Sequence, residues 1–141
     1  MSEYWNAMVP EITVSNLDRS LAFYLCLGFS VRYRRENPPF AYLEIGQAQL
    51  MLEQIHESGW LTGSLEPPFG RGVNFQIEVE SVRNIEAKAR IANIALYEGC
   101  KESWYFVGEG REEGQLEVLL QDPDGFLLRF IEPLGSREND A

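Results

Sequence analysis

The chain has 141 residues, 45% of them hydrophobic, and a formal net charge of −10. Such a length suits one core or two small half-domains, and no apolar run approaches the ~20 residues that span a bilayer, so no membrane partner is expected. The acidic balance argues against a nucleic-acid partner, whose phosphates demand a basic surface, and suits either plain solubility or a cationic ligand. Met1–Met8 has no basic n-region followed by a long apolar run, and Cys26 and Cys100 form no metal-like or redox-like pair. The expectation is a cytoplasmic protein without a signal peptide.

Met8–Val14 alternates as a strand, with Pro10 marking an edge or an end. Ser15-Asn16 offers an N-cap, Leu17, Leu21, Tyr24 and Leu25 recur at helical spacing, and Gly28 closes the helix. Phe29–Arg35, Phe40–Ile45 and Gln49–Gln54 read as three strands. Residues 8–54 therefore form a first β-α-β-β-β module, and residues 55–71, rich in Gly, Ser and Pro, a linker. The pattern returns in residues 72–133. Val73–Val79 is a strand, Ser81 caps a helix with Val82, Ile85, Ala89 and Ala92 on one face, and Ala95–Tyr97, Ser103–Val107, Gln115–Leu120 and Phe126–Ile131 are strand-like. Aligning Ile12-x-Val14 with Ile77-x-Val79 makes both helices start two residues later, so the chain reads as one unit repeated. Residues 1–7 and 134–141 are expected to be flexible ends.

Side chains alternate across a strand, and the helices must cover one sheet face. If Ile12, Val14, Leu50, Leu52, Phe75, Ile77, Leu128 and Phe130 face the helices, then Glu11, Thr13, Gln49, Glu53, Asn74, Gln76, Glu78 and Arg129 share the other face. That face is either solvated, as in many antiparallel sheets, or the inside of a cavity; the admixture of Val9, Met51, Leu127 and Ile131 suits a cavity.

The most distinctive stretch is EVLLQDPDGFLLRFIE, residues 117–132, in which Asp122-Pro123-Asp124-Gly125 makes a hairpin turn between two apolar runs. Together with VSNLDRSLAFYLCLGF (residues 14–29) and LEIGQAQLMLE (residues 43–53), it resembles the glyoxalase/bleomycin-resistance superfamily, also called vicinal oxygen chelate. The resemblance covers about residues 8–133. It implies an α+β fold in which two βαβββ modules form a cup-shaped curved sheet with helices on the outside, usually in a homodimer.

Enzymes of that superfamily bind a divalent metal through one ligand from each of four strands. By motif register those places fall here on Val9, Glu53, Asn74 and Arg129. Only Glu53 is an ordinary ligand, and a guanidinium repels a divalent ion. The single histidine, His56, lies outside the four places. The resemblance therefore implies the metal-free, bleomycin-resistance-like branch: a binding protein with no cofactor and no catalytic residues, sequestering a bulky aromatic, cationic ligand such as bleomycin in a dimer cleft. The alternative is a metal-dependent glyoxalase- or dioxygenase-type enzyme with an atypical ligand set.

The expected ligand-binding residues are Phe40, Tyr42, Glu53, Trp60, Asn74, Gln76, Trp104, Tyr105 and Arg129. Each aromatic has a second reading as ordinary packing, favoured for Phe40. Arg129 is expected either to pair with Glu53, filling the former metal place, or to hold an anionic group of the ligand.

Overall fold

The computed structural model describes residues 4–139. Its elements run β1 (Glu11–Val14), α1 (Leu17–Cys26), β2 (Ser30–Glu36), β3 (Pro39–Ile45), β4 (Ala48–Gln54), β5 (Asn74–Glu78), α2 (Val82–Ile91), β6 (Leu96–Gly108), β7 (Arg111–Gln121) and β8 (Leu127–Glu138). They form two four-stranded sheets, ordered β1-β4-β3-β2 and β5-β8-β7-β6. In each, the first pair is parallel and the others antiparallel. The parallel pairing follows from the repeat: a strand followed by a helix returns beside its own module's last strand, not its next one. This is the expected α+β fold of two similar βαβββ modules, consistent with a cup.

Both helices begin where their caps place them. The Asn16 side chain accepts from the Arg19 amide at 2.9 Å, and the Ser81 hydroxyl accepts from the Asn84 amide at 3.1 Å. The buried face of α1 is Leu17, Leu21, Phe23 and Tyr24, while Leu25 is exposed; that of α2 is Val82, Ile85 and Ala89. These side chains meet Ile12, Val14, Leu50, Leu52, Ile77, Val118, Leu120, Leu128 and Phe130 in one continuous core shared by the two modules.

Four strands differ from the sequence reading, β7 among them, which starts at Arg111, ahead of Gln115. A single β6 spans the two runs read separately, because ladder irregularities between Leu96 and Lys101 break the period-two alternation. Strand β8 continues past Ile131 to Glu138, paired with β7 as far as Arg111, although Pro133 and Gly135 weaken its local signal. Strand β1 begins only at Glu11, since the residues before Pro10 leave the sheet.

The hairpin turn joins the modules. Asp122 and Asp124 are both buried. One oxygen of Asp122 accepts from the amides of Asp124 and Phe126 at 3.0 and 2.9 Å, and the other accepts from the Tyr24 hydroxyl at 2.7 Å. Asp124 accepts from the Ser15 amide at 3.0 Å and from the Arg19 guanidinium at 3.2 Å. The linker closes on the same turn, where the Phe69 amide donates to the Asp124 carbonyl at 2.7 Å. Gly125 is required there: its φ is +85°, and a Cβ would lie 2.3 Å from Pro68 Cβ.

Tyr24→Phe removes a hydrogen bond from a buried carboxylate while keeping the ring. It is expected to lower the unfolding free energy by about 1.5–3 kcal/mol in urea titrations; an unchanged midpoint would show that the turn does not hold the modules together.

Candidate functional site

Opposite the helices, registered side chains line the inner face of each module. In the first, Thr13, Glu53 and Phe40 stand side by side, as do Glu11, Met51 and Tyr42, and then Gln49 and Glu44. In the second, the rows are Asn74 and Leu127; Gln76, Arg129 and Leu119; and Glu78, Ile131 and Glu117. This is the polar face read from alternation, with β3 and β7 adding Glu44 and Glu117, both buried.

Arg129 does not pair with Glu53. Its Nη1 lies 3.5 Å from Glu117 Oε2, and Glu117 is only 1% exposed. Glu117 also accepts from the Tyr105 hydroxyl at 2.7 Å and from Gln115 Nε2 at 2.8 Å. Burial alone pushes the Glu117 carboxyl up, but hydrogen bonds from Ser103, Tyr105 and Gln115 and the charge of Arg129 outweigh it, and the net shift is downward. Glu53 instead lies 3.1 Å from His56 Nε2. In place of the expected cross-module pair, Arg129 meets Glu117 of its own module and Glu53 meets His56 at the start of the linker. Glu117 escaped the sequence reading since it falls in an apolar run; its sheet register with Ile131 was the missing information.

The aromatics divide into three groups. Phe40 and Tyr42 are buried on the inner face of β3. Tyr33 stacks on Tyr42 at 5.4 Å, and the Arg35 guanidinium sits 4.0 Å from the Phe40 ring centre. Trp104 and Tyr105 point to opposite faces, as neighbours on a strand must. Tyr105 reaches Glu117, whereas Trp104 packs on Gly114, lies 4.0 Å from the Arg137 guanidinium and donates to Glu102 at 2.8 Å. Trp60, in the linker, is 93% exposed.

Trp60 borders a cavity of about 350 Å³ lined by Pro10, Glu11, Thr13, Leu61, Phe69, Phe75 and Phe126. Burial and the neighbouring charge of Glu53 push the Glu11 carboxyl up, against the opposing effect of Arg35. A second cavity, of about 360 Å³, is lined by Asn6, Met8, Gln49, Asn74 and Gln76 among others. Of the expected site residues, Trp60 lines the first of these cavities and Asn74 and Gln76 the second, which share Pro10 and Phe75; Phe40, Tyr42, Glu53, Trp104, Tyr105 and Arg129 line neither.

The four positions that the resemblance implies for a metal hold an apolar side chain, a carboxylate, a carboxamide and a guanidinium already paired to Glu117. Among the described residues, no three His, Cys, Asp or Glu side chains are gathered so as to hold a metal ion. This donor set does not fit a divalent metal.

The depressed carboxyl of Glu117 fixes the sign of one pH effect. Its stabilising contribution is complete above the ordinary value of 4.5 and is lost as pH falls through the lowered folded-state value. The fall in melting temperature on acidification is expected to be shallower in Glu117→Gln than in the parent protein. Arg129→Ala is expected to lower the melting temperature at neutral pH through Glu117, an effect that Glu53→Ala does not reproduce.

No protein-family model matches the chain, and no curated protein matches it. Solved structures do. A virulence protein from Salmonella typhimurium superposes with a TM-score of 0.67 at 21% identity, covering 93% of this chain and 98% of its own. TioX from Micromonospora sp. ML1 gives 0.70 at 17% identity, over 92% of this chain and 100% of that one. A glyoxalase/bleomycin resistance protein/dioxygenase from Alicyclobacillus acidocaldarius gives 0.60 at 23% identity, over 92% of both chains. The chain has the fold found in the glyoxalase/bleomycin-resistance/dioxygenase superfamily.

Proposed function

We propose that the chain is a metal-free small-molecule binding protein that sequesters a bulky, flat, cationic ligand, in the manner of bleomycin-resistance proteins. The observation that carries this reading is Trp60, 93% exposed at the wall of an apolar cavity bordered by a carboxylate. An exposed indole lining the same cavity as Phe69, Phe75 and Phe126 offers a stacking surface. Glu11, with Glu53 beside it in space, supplies negative charge at the same mouth, and the net charge of −10 favours approach of a cation. A cavity of about 350 Å³ holds one aromatic group and not a whole glycopeptide, so the rest of the ligand extends along the seam or onto a second chain. Strand β6 is an edge strand with Phe106 and Val107 exposed, which supports pairing in a homodimer. Asn74, Gln76, Tyr105 and Arg129 are polar contacts for the extended part.

Titration with phleomycin is expected to quench tryptophan fluorescence saturably in the parent protein, and to lose most of that response in Trp60→Phe. Glu53→Gln is expected to weaken binding several-fold. An equal response in Trp60→Phe, or none in the parent, overturns the assignment of Trp60. Stoichiometric nickel, zinc, iron or manganese in purified protein, with an activity that follows the metal, overturns the metal-free reading.

A further inference from the structure

Residues 4–8 leave the first sheet before Pro10 and cross the inner face of their own module. They are held by side chains that no secondary-structure ladder requires. Gln49 grips them with both ends of its carboxamide: Oε1 accepts from the Asn6 amide at 2.8 Å, and Nε2 donates to the Tyr4 carbonyl at 2.7 Å. The Asn6 side chain donates to the Gln47 carbonyl at 3.0 Å, and Arg32 donates to the Tyr4 carbonyl. Between these anchored groups Trp5 lies against an open-sided aromatic cage, with 55% of its surface still exposed. The Arg32 guanidinium lies 3.7 Å from its ring centre, and Tyr42 and Tyr33 meet it edge-on at 5.0 and 6.1 Å.

The floor of the cage carries an unfilled capacity. The Glu44 side chain is 7% exposed, and its Oε2 accepts no hydrogen bond; the nearest cation, Arg32 Nη1, is 4.0 Å away. A buried carboxylate oxygen without a donor is costly, and a ligand N–H reaching it would relieve that cost. The strap also roofs the cavity of about 360 Å³, through Asn6 and Met8. Lifting it would join that cavity, with Asn74 and Gln76, to the aromatic face of β3.

We propose that the cage of Arg32, Tyr33, Tyr42, Glu44 and Gln49 is a ligand subsite for an aromatic ring carrying a neighbouring amide, and that Tyr4–Asn6 occupies it as a displaceable internal stand-in. The occupant defines the chemistry. The cage takes a flat ring against a guanidinium and two tyrosines, while Gln49 reads one N–H and one C=O flanking that ring. Peptide-linked aromatic compounds present the same groups in the same order, and an additional ring or amine N–H would meet Glu44. The inference rests on the reading of the chain as a small-molecule binder, and adds a second aromatic subsite, distinct from Trp60, together with an internal competitor. A competitor tethered in the site lowers apparent affinity by the fraction of molecules in which the strap is closed.

N-acetyl-tryptophan amide, which carries the ring and both amide groups, is the probe, and calorimetry on the full chain is the readout. Trp5→Ala is expected to bind it about ten-fold more tightly than the parent protein, as removal of an occupant closed nine times in ten requires. Asn6→Pro, which deletes the N–H that Gln49 accepts, is expected to shift affinity in the same direction with Trp5 present, and covers the case in which Trp5→Ala misfolds. Adding Gln49→Ala to Trp5→Ala is expected to abolish the gain. Equal or weaker binding by both strap variants overturns the proposal, as does absence of heat from either at millimolar probe. If phleomycin binding still depends on Trp60 in that event, the strap inference alone fails; if phleomycin also gives no response, both readings fail.

Discussion

The buried carboxylate of Asp122 is the constraint on which the two-module arrangement depends. Placing a carboxylate in a core costs several kcal/mol unless its oxygens are hydrogen-bonded. Here two donors are backbone amides of its own turn, and the third is Tyr24 on the first module's helix. Burial still raises the carboxyl above its ordinary value, with the three donors opposing. The turn and the helix therefore satisfy each other: Tyr24 is fully buried and needs an acceptor, and Asp122 needs a donor. Asp124 repeats the arrangement at the start of the same helix, taking the Ser15 amide and the Arg19 guanidinium.

From that clasp the positions of the sheets follow. With α1 fixed to the β7–β8 turn and the linker fixed to the same turn, β1 and β5 are brought alongside without pairing to each other. The seam between them holds the cavities that adjoin Glu11, Trp60, Asn74 and Gln76. Arg129 lies a few residues beyond the turn on β8, so the element that locks the modules also presents a guanidinium to the inner face. There it meets Glu117 across the β7–β8 ladder. Within this network, hydrogen bonds from Ser103, Tyr105 and Gln115 and the charge of Arg129 together hold the Glu117 carboxyl below its ordinary value. The inner face of the second module is therefore organised by an internal ion pair.

Much of this was legible in local pattern. Ile12 and Val14, Leu50 and Leu52, and Leu128 and Phe130 alternate with polar neighbours, and each of these pairs is buried against the helices. Asn16 and Ser81 mark both helix starts because a cap acts within three residues. The turn was readable from Pro123 and Gly125, but its clasp with Tyr24 was not, since those partners lie 98 residues apart. Glu117 was hidden for the same reason: nothing in its neighbours along the chain marks it as a buried charge, and only the register with Ile131 places it beside Arg129. Alternation placed Gln49 on the inner face, but Trp5 lies before the first strand, so its approach to that face left no periodic trace.

The sequence by itself determined the module, its repetition and the faces of the strands. Those properties follow from side-chain type and from periods of 2 and 3.6, which are local. Tertiary structure alone decided which charges pair, which aromatics remain open to solvent and which are already covered. Arg129 chose Glu117 over Glu53, and Tyr42 is covered by Trp5 while Trp60 stands in solvent. Pairing and covering depend on distances across the fold, and short-range electrostatic and packing energies select the nearest satisfied partner from several that the sequence makes equally available.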